Sequence, residues 1–279
     1  MLRARVITAL LLLAGFLAVL FLLPFAGWML FATAVAAAAS WEWGGLVGLR
    51  GAARAGNAVA TTLLCGLLAV AAFAPAQGER IAPLLLAWIF APAATFWLAA
   101  VPAWLSRRGR APGGISGALL GGLVVIPACL ALMQLRAISP LLLLAVMAAV
   151  WVADIAAYFT GRAFGRRKLA PSISPGKTWE GAAGAVVGVL AFGLSAAAAG
   201  PLGGAPAATW GMFALLLCGL TAVSIEGDLF ESMIKRQAGV KDSGTLLPGH
   251  GGLLDRIDSL TSTLPLVGLA ALYWDGAVR

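Results

Sequence analysis

Residues 139–159 read SPLLLLAVMAAVWVADIAAYF, a run in which Asp154 is the only charged side chain. A helix that crosses the hydrocarbon core of a bilayer needs about 20 apolar residues, and this run has that length. Within a helix, Asp154, Tyr158 and Gly161 would share one face, because residues three and four positions apart are neighbours. The stretch therefore predicts a transmembrane helix that carries an acidic side chain near its C-terminal end.

The rest of the chain repeats this apolar pattern. Of its 279 residues, 61% are hydrophobic and 11% are charged, and the mean hydropathy is +0.97. Soluble domains have about 45–50% apolar and about 25% charged residues. Further apolar runs cover 6–25, 26–41, 58–75, 81–105, 115–135, 182–200, 206–226 and 259–274. The sequence thus predicts an all-α, polytopic integral membrane protein with about nine transmembrane helices and no soluble domain. If Pro24 kinks one long helix instead of separating two, the number is eight.

Basic residues set the predicted orientation. With nine spans and a cytoplasmic N-terminus, the 19 Lys and Arg residues fall on the cytoplasmic side except for Arg80, Arg136 and Arg279, in line with the positive-inside rule. The prediction is a multi-pass protein of the cell (inner or plasma) membrane with an external C-terminus. The net charge of +8 follows from this topology and from anionic lipid headgroups, and predicts no nucleic-acid partner.

Two long cytoplasmic segments, 160–181 and 227–258, are left between the predicted spans. We predict that residues 136–279 carry both segments as catalytic loops, and that residues 1–135 supply scaffold helices and dimer contacts. Acidic residues are scarce in this chain, and six of the eleven lie between residues 226 and 258. The predicted catalytic chemistry is therefore concentrated on one face of the membrane.

The spacing of these acids indicates a site. Asp228, Glu231, Ser232 and Lys235 follow an i, i+3, i+4, i+7 pattern, so that they share one helix face. Two further acids, Asp255 and Asp258, open the last apolar run. Taken singly, each acid is also explained by a salt bridge to a basic neighbour. As a set at one membrane face they predict a cation site, since Mg²⁺ prefers one or two carboxylates together with phosphate oxygens and water.

Two glycine-containing stretches accompany the acids. The stretch LPGHGG, residues 247–252, has glycines that allow backbone N–H groups to approach an anion closely. The stretch SPGKTWEG, residues 174–181, is not a Walker A motif, because Pro171 stands where that motif needs glycine. It predicts instead a Gly-Lys-Thr turn that opens the seventh span and points N–H groups and the Lys177 ammonium at a phosphate. The alternative is a loop lysine at the lipid headgroups.

The stretch SMIKRQAGVKDSGTLLPGHGGLLDRID, residues 232–258, resembles the signature of the phosphatidate cytidylyltransferase (CDP-diacylglycerol synthase) family, S-x-x-K-R-x-x-x-x-K-D followed by P-x-H-G-G-x-x-D-R-x-D. GDLFES and SPGKTWEG also look like family motifs. The resemblance covers about residues 154–258, and the N-terminal half matches only as a generic set of spans. It implies that CTP and phosphatidate give CDP-diacylglycerol and pyrophosphate. It also implies a magnesium ion held by Asp228 and Asp255, a potassium ion nearby, and a membrane homodimer.

The predicted site residues fall into two sets. The catalytic set is Asp228, Lys235, Arg236, Lys241, Asp242, His250, Asp255 and Arg256. The substrate-binding set is Asp154, Tyr158, Ser174, Lys177, Thr178, Glu180, Glu231, Ser232, Gly251, Gly252 and Asp258. Basic members neutralise the phosphates of CTP, lipid and pyrophosphate. His250 is predicted to contact a phosphate, since a phosphate nucleophile is already anionic and needs no general base.

Two alternatives remain at this point, one from another class of protein and one from the same class. A secondary transporter also carries intramembrane acids and broken helices, but it predicts charges near mid-membrane and related motifs in two halves. Here the charges cluster at one face. Another CTP-using membrane enzyme, acting on an isoprenoid lipid, would share the core motifs.

Overall fold

The computed structural model of the protein describes residues 2–73, 81–200, 205–246 and 251–274. Its helices are α1 (Leu2–Leu22), α2 (Phe25–Leu46), α3 (Gly51–Phe73), α4 (Ile81–Thr95), α5 (Val101–Arg107), α6 (Gly114–Ile138), α7 (Pro140–Phe164), α8 (Trp179–Ala198), α9 (Ala207–Gln237) and α10 (Leu254–Trp274). A π-helical turn, Phe96–Ala100, joins α4 to α5 into one continuous segment. Each predicted apolar run therefore coincides with a helical segment.

The structure is compatible with the predicted all-α membrane protein, and the number of spans stays a prediction. Within the described ranges, six helices are long and apolar enough to cross a bilayer: Gly51–Phe73, Ala82–Arg107, Gly114–Ile138, Pro140–Phe164, Trp179–Ala198 and Ala207–Gln237. The helices α2 and α10 each carry acidic residues, Glu42 in the last turns of α2 and Asp255 and Asp258 in the first turns of α10.

The chain breaks at Pro24 instead of kinking. Helix α1 ends at Leu22, and Pro24 precedes α2 in an extended conformation. Arg136 of α6 donates hydrogen bonds from its guanidinium to the carbonyl oxygens of Leu20 (3.2 Å) and Leu23. Carbonyls at a helix end have no partner within the helix, so Arg136 satisfies those that the break exposes.

The core places aromatic side chains directly beneath the acidic part of α9. Phe230, which is 1% exposed, contacts the rings of Trp43, Trp97 and Trp104 at centroid distances of 6.3, 5.5 and 5.7 Å. Each such aromatic pair contributes about 0.5–1.5 kcal/mol beyond its buried area. Because Phe230 lies between Asp228 and Glu231, this packing fixes the rotation of α9 and the direction in which its polar face points.

Helices from both halves of the chain pack together. α10 packs against α6, α9 and α4, α7 packs against α8, and α2 packs against α3 and α6. The boundary predicted after residue 135 falls within the last turn of α6.

The 160–181 segment contains a small β-hairpin that the all-α prediction lacks. Strands β1 (Lys168–Ala170) and β2 (Ser174–Thr178) pair antiparallel, with Lys168 opposite Thr178 and Ala170 opposite Ser174. Pro171 and Pro175 disfavour a helix here, since proline lacks the N–H that a helix interior needs. Gly176-Lys177-Thr178 is thus strand, and the predicted turn at these residues is wrong.

The N-terminus of α8 is also occupied by its own chain. The Thr178 hydroxyl accepts a hydrogen bond from the Gly181 N–H (3.1 Å), and the Trp179 N–H donates to the Arg167 carbonyl (3.0 Å). These N–H groups were expected to point at a phosphate. Thr178 instead acts as an N-cap, and Lys177 is left as the residue of this stretch that reaches the acidic cluster.

Candidate active site

One face of α9 carries the predicted polar stripe. Ser232 Oγ donates to Asp228 Oδ1 at 3.2 Å, and Lys235 Nζ donates to Glu231 Oε2 at 3.2 Å. Both pairs are four residues apart, which places their side chains next to each other on a helix. The prediction that these four residues share a face is confirmed.

Lys235 connects α9 to α10. Its Nζ lies 2.6 Å from Asp255 Oδ1, and the two side chains are 10% and 7% exposed. Asp255 Oδ2 accepts the backbone N–H groups of Ser243 (2.9 Å) and Gly252 (2.8 Å). Both carboxylate oxygens of Asp255 are therefore held, one by a helix neighbour and the other by the loop that joins α9 to α10.

These contacts also set the charge of Asp255, which lies ahead of the stretch 259–274 predicted to cross the membrane. Burial raises the pKa of Asp255, but the hydrogen bonds from Lys235 and from the N–H groups of Gly252 and Ser243 outweigh burial. They hold the pKa below its ordinary value. Asp255 is thus a carboxylate at neutral pH.

Lys177 brings the β-hairpin to α9. Its Nζ lies 2.7 Å from Asp228 Oδ2, and the two side chains are 23% and 28% exposed. Asp154 of α7 lies close enough for the charges of Lys177 and Asp228 to act on it. The strand β2 and the helix α9 therefore supply an ion pair that is more open to solvent than the Lys235–Asp255 pair.

The cluster contains more acidic than basic side chains. Lys177 pairs with Asp228, and Lys235 pairs with Glu231 and Asp255, while the carboxyl groups of Asp154 and Asp258 lie nearby. The Glu231 and Asp258 carboxyl groups are buried neighbours. Two adjacent buried carboxyl groups are costly to ionise together unless a shared proton or a cation offsets their repulsion.

The carboxyl groups of this cluster are donors of the kind that Mg²⁺ uses. Among the described residues there is no group of three His, Cys, Asp or Glu side chains arranged to hold a metal. A Mg²⁺ ion typically takes one or two carboxylates and fills the rest of its shell with phosphate oxygens and water. Asp228 and Asp255 supply donors of that kind, and each is paired with a lysine in this structure.

The remaining predicted residues lie around this centre. Arg236, Lys241, Asp242 and Arg256 are exposed, Gly251 has a positive φ of 82°, and Ser174 is half-buried in β2. Tyr158 is exposed and its hydroxyl accepts from Arg162 at 3.1 Å. Glu180 accepts the backbone N–H groups of Arg166 and Arg167 at 3.1–3.3 Å, so it holds the hairpin in place. His250 lies outside the described residues.

Sequence reasoning missed one acidic residue of this region. Glu42, at the end of α2, is 2% exposed and accepts hydrogen bonds from Ser243 Oγ (2.9 Å), Leu253 N (3.0 Å) and Leu254 N (2.8 Å). It thereby touches the same loop as Asp255. The sequence did contain a clue to its role, because Glu42 is the only acidic residue in residues 1–78.

Comparison with known proteins identifies the family. The model of the cytidylyltransferase family matches residues 3–274. The chain belongs to the cytidylyltransferase family. It is 44% identical to the phosphatidate cytidylyltransferase of Pseudomonas aeruginosa, over 98% of this chain and 97% of that protein. The phosphatidate cytidylyltransferases of Haemophilus influenzae and Thermotoga maritima are 54% and 39% identical over 44% and 49% of this chain, and over 43% and 51% of their own lengths.

The family match confirms the resemblance and extends it. The motifs covered about residues 154–258, whereas the cytidylyltransferase match begins at residue 3 and includes α2. The N-terminal helices are therefore part of the family fold.

Proposed function

We propose that this cytidylyltransferase converts CTP and phosphatidate into CDP-diacylglycerol and pyrophosphate. The observation that carries the proposal is the near full-length similarity to a phosphatidate cytidylyltransferase. The structure adds an ion-paired cluster, Lys177–Asp228 and Lys235–Asp255, at the ends of apolar helices. Such a site suits one water-soluble polyanion and one lipid whose acyl chains stay in the bilayer.

The proposed chemistry is a single in-line displacement. An oxygen of the phosphatidate phosphate forms a bond to the α-phosphorus of CTP, and the bond from that phosphorus to the oxygen bridging to the β-phosphate breaks. Pyrophosphate leaves with the electron pair. Because the nucleophile is already an anion, the protein mainly has to position two polyanions and offset their charge.

The lysines have different parts in this proposal. Lys177 is partly exposed and exchanges its partner Asp228 for a substrate phosphate, since both are anions that its ammonium can bind. Lys235 is buried against Glu231 and Asp255 and keeps the two helix ends at a fixed distance. Arg236, Lys241, Arg256 and His250 belong to the same segment and are proposed to contact CTP or the leaving pyrophosphate.

Magnesium is the proposed cofactor, with Asp228 and Asp255 as the residues that would hold it and a potassium ion nearby. When bound, a divalent cation offsets phosphate charge and helps to stabilise the leaving group. Support comes from the number of carboxyl groups that gather around Lys177 and Lys235, with the buried Glu231 and Asp258 side by side.

The proposed arrangement in the membrane follows from the substrates. CTP is cytoplasmic, so we place the loops 160–181 and 227–258 on the cytoplasmic side, with the N-terminus inside, nine spans and the C-terminus outside. We also propose a homodimer in the cell membrane, as the family resemblance implies.

The test is an assay of the purified protein with CTP labelled at the α-phosphate and a panel of lipid phosphates. We expect lipid-linked CMP with phosphatidate and not with polyprenyl phosphates, and release of one pyrophosphate per product. Faster labelling of a polyprenyl phosphate would overturn the substrate assignment in favour of the isoprenoid alternative. Uptake of label without a lipid product would contradict the reaction itself.

A further inference from the structure

We infer that Glu42 is a positioning residue of the active site: its carboxylate, contributed by α2, holds Ser243, Leu253 and Leu254 and thereby orients Asp255. The inference rests on the proposed function. It gives the N-terminal half of the chain a direct part in a site whose recognised motifs all lie after residue 153.

The contacts of Glu42 show that it holds both the loop and the start of α10. Oε2 accepts from the Ser243 hydroxyl at 2.9 Å and from the Leu254 N–H at 2.8 Å, and Oε1 accepts from the Leu253 N–H at 3.0 Å. The last two donors are at the N-terminus of α10, where N–H groups have no partner in the helix. A carboxylate at this end also interacts favourably with the helix dipole.

Ser243 connects Glu42 to Asp255. Its hydroxyl donates to Glu42 and its backbone N–H donates to Asp255 Oδ2 at 2.9 Å. Gly252, whose N–H also donates to Asp255, is directly followed by Leu253, whose N–H donates to Glu42. Two carboxylates from distant parts of the chain therefore hold the same loop, and a shift of one is transmitted to the other.

The loop is shaped around the Glu42 side chain. A Cβ added at Gly244 would meet Glu42 Oε1 at 2.6 Å and Cδ at 2.9 Å. A Cβ at Gly252 would meet Glu42 Oε2 at 2.5 Å, as well as Ser243. Contacts this short do not occur for real Cβ atoms. The two glycines thus make room for a carboxylate that comes from outside the loop.

No Lys, Arg or His in the described ranges forms a salt bridge with Glu42. Its negative charge is therefore offset by the N–H and O–H groups that donate to it. This makes glutamine a poor replacement. Whichever oxygen became the NH₂ group would face a backbone N–H, either that of Leu253 or that of Leu254. A buried donor that faces another donor loses its hydrogen bond and remains desolvated.

The first experiment compares Glu42→Gln with Ser40→Ala by hydrogen exchange and kinetics. Ser40 is a matched control, since it is 2% exposed on the same helix and its hydroxyl has no hydrogen-bond partner in the described part of the chain. In Glu42→Gln we expect faster amide exchange in peptides covering 251–258, an unchanged pattern in α7 and α8, and a kcat about 10- to 100-fold lower, because small misplacements of catalytic groups have effects of this size. KM for CTP should change much less than kcat.

The second experiment is a double-mutant cycle with Gly244. As a single substitution, Gly244→Ala should lower kcat, because its methyl group would clash with the Glu42 carboxylate. The control Gly219→Ala should leave kcat unchanged, since a Cβ there meets nothing within 4 Å. Added to Glu42→Ala, the Gly244→Ala change should have little further effect, as expected for groups that act through one contact.

Three outcomes would overturn the inference. The first is an unchanged rate of amide exchange in residues 251–258 of Glu42→Gln. The second is faster exchange in that variant together with a wild-type kcat. The third is that the effects of Glu42→Ala and Gly244→Ala on kcat are additive. Hydrogen exchange is measured without turnover, so it tests the anchoring contact independently of the reaction. If the wild-type protein failed to use phosphatidate, the proposed function would be refuted, and the exchange data would still decide on the anchoring contact.

Discussion

At the scale of single residues, the two lysine–carboxylate pairs of the cluster differ in burial. The Lys177–Asp228 side chains are 23% and 28% exposed, and the Lys235–Asp255 side chains are 10% and 7% exposed. Partly exposed ion pairs contribute about 0–1 kcal/mol to stability, whereas removing one partner of a buried pair costs about 3–5 kcal/mol. The first pair can therefore open for a substrate, and the second is part of the architecture.

Lys177→Ala is expected to lower turnover far more than it lowers the amount of folded protein. The lysine contributes little to packing, but its ammonium is the group of the hairpin that reaches the acidic cluster. Steady-state kinetics with both substrates in detergent would measure the effect, with Lys168→Ala, an exposed lysine of β1, as the control. A near-normal kcat/KM for CTP and for phosphatidate would contradict this role and support the alternative that Lys177 is a loop lysine at the lipid headgroups.

Asp228→Asn and Asp255→Asn should each nearly abolish activity and raise the magnesium concentration needed for half-maximal rate. The two should differ in stability, because Asp255 is buried and Asp228 is not. We expect a lower melting temperature for Asp255→Asn alone. The double variant should be little slower than either single variant, since one site is not lost twice. Well-folded variants with wild-type rates and an unchanged magnesium midpoint would rule out the metal assignment.

At the scale of elements, the hairpin β1–β2 is the part that delivers Lys177, and two local contacts secure it. Thr178 caps α8 through the Gly181 N–H, and Glu180 accepts the N–H groups of Arg166 and Arg167. The space beside Thr178 is tight, since a Cβ at Gly165 would meet Thr178 Cγ2 at 2.9 Å. The hairpin is therefore held against α7 and α8 from both of its ends.

Thr178→Val should lower thermal stability while leaving kcat within a few-fold of wild type below the melting temperature. Valine keeps the methyl contacts but loses the oxygen that caps α8, a change that typically costs about 1 kcal/mol. Thermal melts in detergent and initial rates at a permissive temperature would separate the two effects. A large loss of kcat at unchanged stability would instead mean that the Thr178 hydroxyl contacts substrate.

The helices were predictable and the hairpin was not, for a physical reason. An apolar run as long as a bilayer is thick predicts a helix directly, because in lipid a helix is one of the few structures that satisfy the hydrogen bonds of the backbone. The α9 stripe was equally readable, since its spacing is local. Lys177 contacts Asp228, which lies 51 positions further along the chain, and Glu42 contacts Ser243, which lies 201 positions further. No local sequence pattern encodes contacts over such separations.

At the scale of the whole molecule, the bundle separates an apolar body from one polar end. Fully buried Trp28, Trp43 and Trp97 lie in its core, and the acidic cluster lies where α9 ends and α10 begins. The break at Pro24 keeps α1 and α2 as separate helices, which is the arrangement that the nine-span prediction requires.

A reporter fused after Arg279 should therefore be found outside the cytoplasm. With the N-terminus inside, nine crossings end outside and eight end inside, so the location of the reporter decides between the two counts. Reporters inserted at exposed positions of the loop 108–113 and of the hairpin should both be cytoplasmic and serve as controls. A cytoplasmic C-terminal reporter would contradict the nine-span topology.

The anchoring of Ser243, Leu253 and Leu254 by Glu42 has a consequence for biosynthesis. The ribosome makes α2 first, and the donors that satisfy Glu42 follow 201 to 212 residues later. During most of translation this acidic side chain sits among inserted helices without those partners, and only the arrival of α10 completes its surroundings. A nascent chain halted before residue 243 should consequently remain exposed to membrane quality-control proteases, and should become resistant once residues up to 254 have been added.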